Sequence, residues 1–276
     1  MTNGITLHVV EAGPRDGPPV FLLHGFPEFW WGWRHQIEPL AHAGHRVIAP
    51  DQRGYNLSEK PEDAEAYTID RLAGDILALA DARQLARFAV AGHDWGGIVA
   101  WHLASTRPDR VTRLIAINAP HPAVARAYVR RHPGQLLRSA YVGFFQIPGL
   151  PETLLRAGDF RLMKRAMRTS SRPGTFTEAD LDRYRAAWAE PGALTAMLNW
   201  YRALRRSPAT SDRVAIPTLV IWGVQDRFLQ RGLAEASLAL CDHGRALWLD
   251  NATHWVQHEE PDRVNAAMLD FIGERQ

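Results

Sequence analysis

The fold is decided by the sequence Arg87-Phe88-Ala89-Val90-Ala91-Gly92-His93-Asp94-Trp95-Gly96-Gly97, which continues as Ile98-Val99-Ala100-Trp101-His102-Leu103. An apolar run typical of a buried strand precedes Gly92, and an apolar run compatible with a helix follows Gly97. A strand, a glycine-flanked residue and a helix form the context of a nucleophile elbow, a sharp turn that presents one side chain above a sheet edge. Glycine is required beside this turn because a Cβ atom would clash with the neighbouring strand or helix.

The residue at the predicted apex is Asp94, where a serine hydrolase carries its serine. A carboxylate at this position attacks a saturated carbon by displacement and leaves an alkyl ester on the enzyme. It is poorly suited to forming an acyl-enzyme from esters or amides. The residue type therefore shifts the expected chemistry from ester hydrolysis towards epoxide opening or dehalogenation.

Short apolar runs alternate with longer helical patterns, which is typical of a mostly parallel sheet covered on both faces. Strands are predicted at 5–10, 20–23, 46–49, 88–91, 114–118, 218–222 and 246–249. Helices are predicted at about 31–42, 69–84, 96–106, 233–240 and 262–273. Thr68 precedes the second helix and is expected to cap it. The predicted fold class is therefore α/β, with a doubly wound sheet.

The alternation stops between Pro122 and Val214. This segment has helical patterns, is rich in arginine and is interrupted by Pro-Gly pairs at 133–134, 148–149, 173–174 and 191–192. A run of ordinary crossover helices is the alternative, but the segment is too long for one connection. We therefore predict a core formed by residues 1–122 and 214–276, with a helical cap at 123–213.

The composition narrows the class of protein. A chain of 276 residues, 46% hydrophobic and 22% charged, can form one globular domain with a sizeable insertion. Its net charge of +2 gives no strong field that would favour nucleic acid or an anionic membrane. The arginine-rich stretch 126–138 is interpreted as a solvated helix face. Cys241 is the single cysteine, so neither an internal disulfide nor a cysteine metal site is expected.

The first residues, Met1-Thr2-Asn3-Gly4-Ile5-Thr6-Leu7, lack the basic and apolar regions of a secretory signal. No apolar run approaches the ~18–20 residues that span a bilayer. We expect a cytoplasmic monomer or homodimer without nucleic-acid partners and without a membrane span.

A second motif, His24-Gly25-Phe26-Pro27, follows the predicted strand at 20–23. In this architecture the loop after that strand supplies one backbone N–H of an oxyanion hole, and the residue after the nucleophile supplies the other. These donors are predicted to be the amides of Phe26 and Trp95. His24 is interpreted as a structural loop histidine.

An acid and a base should follow the nucleophile in chain order. Asp226 and His254 each lie just past a predicted strand, where a side chain reaches the carboxyl edge of the sheet. Each could be an ordinary loop residue, but this position favours catalysis. We prefer His254 to His258 as the base, and we interpret Asp51 and Asp250 as carboxylates that order their loops.

Together, these motifs resemble the epoxide hydrolase branch of the α/β-hydrolase fold. The matching blocks cover nearly the whole chain: His24-Gly25-Phe26-Pro27-Glu28, Trp33-Arg34-x-Gln36, Asp51-Gln52-Arg53-Gly54-Tyr55, Gly92-His93-Asp94-Trp95-Gly96-Gly97, Asn199-Trp200-Tyr201-Arg202, Gly-x-x-Asp226 and His254-Trp255. The resemblance implies two cap tyrosines that donate to the epoxide oxygen. Tyr201 matches its block, and Tyr141 is the expected partner, with Tyr128 and Tyr184 as spare tyrosines in the same segment.

A phenol suits this task because its pKa, about 10, keeps it protonated at neutral pH while its hydrogen bond strengthens as oxygen gains charge. The predicted reaction converts a small-molecule epoxide and water to a vicinal diol through an ester on Asp94, with no cofactor and no metal. Trp30, Phe144 and Trp200 are expected to line an apolar substrate pocket.

Two alternatives stay open at this point. A hydrolytic dehalogenase uses the same Asp-His-Asp set, and Trp95 could donate to a departing halide. Against it, Phe26 stands where many haloalkane enzymes carry asparagine, and a tyrosine pair favours an oxygen leaving group. The second alternative is a ligand-binding protein of the hydrolase fold with negligible turnover, which the complete catalytic set disfavours.

Overall fold

A computed structural model describes residues 3–206 and 213–274. Residues 1–2, 207–212 and 275–276, which fall in the predicted core and cap segments, lie outside the described residues. The strands are β1 (Val9–Ala12), β2 (Pro19–Leu23), β3 (Arg46–Pro50), β4 (Phe88–His93), β5 (Val111–Ile117), β6 (Thr218–Gly223) and β7 (Gly244–Leu249). They form one sheet in the order β1-β3-β2-β4-β5-β6-β7, in which β1 runs antiparallel to β3 and all other pairs are parallel.

Helices cover the sheet and fill the long segment between β5 and β6. Those of the first part of the chain are α1 (Arg34–His42), α2 (Ile69–Ala82) and α3 (Trp95–Thr106). Between β5 and β6 lie α4 (Pro122–Arg131), α5 (Pro133–Arg138), α6 (Ala140–Phe144), α7 (Leu150–Ser170), α8 (Glu178–Ala189) and α9 (Ala193–Arg202). The last part contains α10 (Arg231–Leu238), α11 (Val256–Glu259) and α12 (Pro261–Gly273). The predicted α/β class with a mostly parallel sheet is confirmed.

Alternating side chains of the strands form two cores, one on each face of the sheet. Phe21 and Leu23 of β2 belong to one core, whereas Val20 and Leu22 belong to the other. The second core includes apolar residues of α1 and α12, and the first includes those of α2 and α3. Because strand side chains point to opposite faces in turn, a run that is apolar throughout is buried on both.

The first strand begins later than its apolar pattern predicts. The main chain of Thr6 and His8 bonds instead to a neighbouring loop: the Glu59 amide donates to the Thr6 carbonyl and the Asp51 amide to the His8 carbonyl. Pairing with β3 starts only at Val9. The prediction for 5–10 was therefore wrong in its bounds, because loop contacts satisfy the backbone groups that a sheet would otherwise pair.

Thr68 occupies the N-cap position of α2, but its side chain accepts no capping hydrogen bond. The predicted side-chain cap was therefore wrong. In α8, by contrast, Thr177 and Asp180 form a reciprocal capping box.

The helices between β5 and β6 rest on loops at the carboxyl edge of the sheet. The Trp188 indole donates to the Pro27 carbonyl over 2.6 Å, and the Trp200 indole donates to the Arg53 carbonyl over 2.9 Å. Both indoles are buried, so these bonds satisfy polar atoms that cannot reach water. They hold the inserted helices directly above the predicted site.

Candidate active site

Asp94 lies at the turn between β4 and α3 in a backbone conformation that side chains rarely adopt, with φ 50° and ψ −121°. The turn is tight on both sides. A Cβ atom on Gly92 would lie 2.2 Å from the Gly96 carbonyl oxygen, and one on Gly96 would lie 2.0 Å from the Leu23 carbonyl oxygen. Glycine is thus required at both positions.

The loop after β2 contacts the Asp94 carboxylate. The Phe26 amide donates to Oδ1 of Asp94 over 2.9 Å. A Cβ atom on Gly25 would lie 2.6 Å from the same oxygen, so glycine is needed for this approach. The Trp95 amide is at the start of α3, directly after Asp94, and its place as second oxyanion donor stays a prediction.

His254 lies between the two carboxylates of the predicted set. Its Nδ1 atom is 2.8 Å from Oδ2 of Asp226, and its Nε2 atom is 3.6 Å from Oδ2 of Asp94. The side chains of His254 and Asp226 are buried, while that of Asp94 is 17% exposed. The fold thus brings together three residues that the sequence places far apart.

The Asp226 carboxylate is held by hydrogen bonds on both oxygens. Oδ1 accepts from the amides of Phe228 and Leu229, at 2.7 and 3.0 Å, and Oδ2 accepts from the Asn118 side chain at 2.6 Å. Burial alone raises the pKa of Asp226, but the charge of His254 and the hydrogen bonds outweigh it and lower that pKa. Asp226 is therefore ionised and fixed in orientation.

Burial lowers the pKa of His254, but the charge and hydrogen bond of Asp226, with a further contribution from Asp94, raise that pKa to about 9. At neutral pH the imidazole is therefore protonated. Any change that removes the charge of Asp94 also removes part of this stabilisation of the imidazolium.

Tyr141 of α6 and Tyr201 of α9 face each other, with ring centroids 5.9 Å apart. The Tyr201 ring also packs perpendicular to Trp95 and Phe26, at 5.1 and 5.4 Å, which places it beside the nucleophile turn. Burial raises the pKa of both phenols, and the charge of Asp94 adds to this. Both hydroxyls therefore stay protonated donors.

The two spare tyrosines have other partners. Tyr128 stacks on His132 at 3.6 Å between ring centroids, and the Tyr184 hydroxyl donates to Oε1 of Glu28 over 2.6 Å. Among the cap tyrosines, Tyr141 and Tyr201 are thus the pair beside the Asp94 turn.

Asn118 was not predicted from the sequence to be a functional residue. It follows β5 with φ 41°, accepts from the Gly223 amide over 2.9 Å and donates to Asp226 over 2.6 Å. It was predicted as the last residue of a strand. One sequence feature could have identified it. Asn118 is an amide residue at the carboxyl end of β5, and β5 lies between the strands that carry the predicted nucleophile and the predicted acid.

Glu28 was quoted only as part of a motif, yet it is the centre of a buried polar cluster. It accepts hydrogen bonds from Tyr184, Gln257 and Nε2 of His258, the last over 2.7 Å. Arg34 donates to the other ring nitrogen of His258 over 2.9 Å. Both nitrogens of His258 are occupied, which explains physically why it is not available as the base.

His24 and Asp51 order loops, as interpreted from the sequence. His24 is buried, and its Nε2 atom accepts from the Gln52 amide over 3.0 Å. Asp51 accepts from the Trp30 amide at 3.0 Å and from the Asn56 side chain at 2.8 Å.

The predicted pocket residues lie at different distances from the nucleophile turn. Trp200 packs perpendicular to Trp95, with ring centroids 5.6 Å apart. Phe144 packs on Phe145, which in turn contacts the Tyr201 ring at 5.0 Å. Trp30 packs on its chain neighbours Phe29 and Trp31. Trp200 thus contacts the residue after Asp94 directly, and the pocket roles of Trp200, Phe144 and Trp30 all stay predictions.

Within residues 3–206 and 213–274, no helix combines the length and the apolar character needed to cross a membrane. Over the same residues, no group of three or more His, Cys, Asp or Glu side chains is arranged to hold a metal ion.

Known proteins resemble this chain in sequence and in fold. A family model described as alpha/beta hydrolase fold matches residues 18–261. The chain is 52% identical over 273 residues to AB hydrolase superfamily protein YfhM of Bacillus subtilis (strain 168), covering 98% of this chain and 96% of the relative. It is 39% identical over 279 residues to Epoxide hydrolase 4 of Mus musculus, covering 99% of this chain and 77% of the relative. A Bacillus megaterium epoxide hydrolase solved with an inhibitor superposes with a TM-score of 0.90 at 31% identity, over 99% of both chains. The chain therefore belongs to the epoxide hydrolase family of the α/β-hydrolase fold.

Proposed function

We propose that the protein converts epoxides to vicinal diols through a covalent ester on Asp94, which a water activated by His254 then hydrolyses. The observation that carries this proposal is the difference in surroundings between the two oxygens of the Asp94 carboxylate. Oδ1 accepts the Phe26 amide over 2.9 Å, while Oδ2 lies 3.6 Å from Nε2 of His254. One oxygen is held in place and the other is available to attack.

In the first half-reaction, Oδ2 of Asp94 attacks an epoxide carbon, and the bond from that carbon to the ring oxygen breaks. Tyr201 or Tyr141 gives its proton to the ring oxygen, which becomes a hydroxyl. The imidazolium of His254 then returns a proton to the phenolate, because esterification has removed the Asp94 charge that stabilised it. The products of this step are an ester, neutral His254 and two intact phenols.

In the second half-reaction, neutral His254 takes a proton from water, and the hydroxide attacks the ester carbonyl carbon. The ester carbonyl oxygen is Oδ1, which already accepts from the Phe26 amide, so the oxyanion forms without rearrangement. On collapse the bond from the carbonyl carbon to Oδ2 breaks, and the departing oxygen takes the proton of the added hydroxyl. This releases the diol and leaves the Asp94 carboxylate beside the imidazolium. Asp226, held by Asn118, stabilises that imidazolium.

The segment 123–213 is proposed to act as a cap over this site. It carries both Tyr141 and Tyr201, whereas the core carries Asp94, Asp226 and His254. Ring opening would therefore require groups from both parts. The epoxide would bind between the core and the cap.

A single turnover in oxygen-18 water tests the proposal. The first diol formed should contain no label, because its new oxygen comes from Asp94, and the peptide containing Asp94 should gain one labelled oxygen. Label in the first diol would instead mean direct attack by water and would overturn the proposal. Chloride release from a chloroalkane, without diol from any epoxide, would favour a dehalogenase that uses the same residues.

A further inference from the structure

The loop that carries the catalytic acid is held from above by one buried polar side chain of the cap, Gln135. Helix α5 is otherwise open to solvent: Leu136 is 58% exposed and Leu137 is 78% exposed, whereas Gln135 is completely buried. Apolar packing is therefore not what holds α5 against the Asp226 loop. The arrangement of a buried amide with exposed leucines beside it points to a specific hydrogen-bonding role.

Every polar atom of the Gln135 side chain is bonded, mostly to the main chain of the acid loop. Its Nε2 atom donates to the Phe228 carbonyl at 2.8 Å and to the Ser139 hydroxyl at 3.0 Å. Its Oε1 atom accepts from the Gln230 amide at 2.9 Å. The amide thus pairs with the loop main chain on both sides of Leu229, as an adjacent strand would.

Arg138, one helical turn later, adds a bond to the acid residue itself. Its guanidinium donates to the main-chain carbonyl of Asp226 over 2.7 Å. The Asp226 carboxylate is in turn held by the amides of Phe228 and Leu229. Helix α5 therefore fixes the carbonyls at both ends of the short turn that orients the carboxylate.

The same loop contacts both the proposed base and one of the proposed ring-opening donors. The Phe228 ring lies 5.2 Å from the His254 ring and 6.1 Å from the Tyr141 ring, centroid to centroid. Tyr141 follows Arg138 closely, at the start of α6. One continuous stretch of the cap thus carries a ring-opening donor and holds the loop of the acid that serves the base.

We infer that Gln135 and Arg138 are positioning residues that fix the Asp226 loop, so that the cap controls the orientation of the Asp226–His254 pair during ester hydrolysis. This inference rests on the proposed function. Neither side chain touches the reacting atoms. Because misplacement of a catalytic group by about 1 Å can slow a step by up to about a hundredfold, a loosened loop should slow the step that needs His254 as a base.

The variants Gln135→Met and Arg138→Ala test this inference. Met keeps the length of the side chain but removes all three hydrogen bonds, and Ala removes the bond to the Asp226 carbonyl. Leu137→Ala and Arg131→Ala are matched controls, since both residues are exposed cap residues close to these positions. Ester formation and ester decay are followed separately by intact mass after mixing with a terminal epoxide.

We expect ester decay to slow by about tenfold or more in both variants, while ester formation changes by less than about threefold. Ester should then accumulate at steady state, and kcat and KM should fall together, because kcat/KM depends only on the steps up to ester formation. Arg138→Lys should recover part of the decay rate, because an ammonium can still donate to the Asp226 carbonyl. Both controls should match the wild type.

Unchanged ester decay would overturn the inference. An equal loss in both steps, with a lower melting temperature and no ester accumulation, would also overturn it, because that pattern indicates a merely structural contact. If Gln135→Met does not fold, Arg138→Ala decides, since Arg138 lies on the open side of α5. A wild type that never forms ester would instead refute the proposed function, so the two failures are distinguishable.

Discussion

Nε2 of His254 lies 3.6 Å from Oδ2 of Asp94, which is longer than a hydrogen bond. The two groups attract each other electrostatically without sharing a proton. Oδ2 consequently remains free to approach a substrate carbon, while the imidazole is already beside the carboxylate whose ester it is proposed to hydrolyse. This distance is compatible with the two proposed steps. Asp94 attacks the substrate first, and His254 then removes a proton from water.

Removing the nucleophile should abolish turnover. Asp94→Ala is expected to form no diol and no ester, while circular dichroism and melting show a folded protein. Diol formation by this variant at an appreciable rate would assign the nucleophile to another group. The epoxide panel used for the wild type provides the positive control.

The backbone at Asp94 gives a stability prediction that is separate from activity. Because φ is 50° and ψ is −121°, a glycine should relieve strain that alanine retains. Asp94→Gly should be inactive, yet more stable than Asp94→Ala by about 1–3 kcal/mol. Denaturant unfolding of the two variants measures the difference, and equal stability would show that the turn is not strained in solution.

Replacing the base should separate the two half-reactions. His254→Gln is expected to complete ring opening but not ester hydrolysis, so the protein should gain a mass equal to that of the epoxide. Intact mass spectrometry during exposure to epoxide detects this adduct. Its absence, in a folded variant that still binds substrate, would argue against an ester intermediate.

The cap tyrosines should act mainly on ring opening. Tyr201→Phe and Tyr141→Phe should each slow ester formation, by roughly 2–3 kcal/mol of barrier if each donor resembles an oxyanion-hole group. The double variant should be slower than either single one, and ester decay should change little. Tyr128→Phe serves as a control, because its ring stacks on His132 outside the site. Wild-type rates in both singles and the double would dismiss the assignment.

Stability should depend on pH through His254. Its pKa is raised from 6.5 to about 9 in the folded protein, so folding favours the protonated form. That stabilisation is complete below pH 6.5 and is lost as pH rises through 9, by roughly 3 kcal/mol, since one pKa unit corresponds to about 1.4 kcal/mol. Urea unfolding at pH 6 and 9.5 should show a larger loss for the wild type than for His254→Gln. Parallel losses in the two proteins would mean that other groups cause the dependence.

Local patterns predicted most elements of the core, because the apolar periodicity of a strand or helix is visible within a few residues. The apolar runs before Gly92 and after Gly97 correspond to β4 and α3, and the turn between them carries Asp94 as expected. The first strand was misplaced because its backbone pairs with a loop distant in sequence. The Thr68 cap failed for a related reason: a suitable residue at the N-cap position does not ensure that its side chain makes the bond.

The sequence by itself determined the fold class, and it predicted Asp94 as the nucleophile and the order in which acid and base follow it. These depend on periodicity, turn residues and chain order, which are local properties. Only the tertiary structure decided that Asn118 orients Asp226, that Glu28 occupies His258 and that Gln135 holds the acid loop. The residues in these pairs are separated by 108, 230 and 93 positions, so their contact depends on the order of strands in the sheet and the seating of the cap. Short-range patterns contain no information about the strand order or the position of the cap. Hydrogen-bond partners such as these come together only when the chain folds.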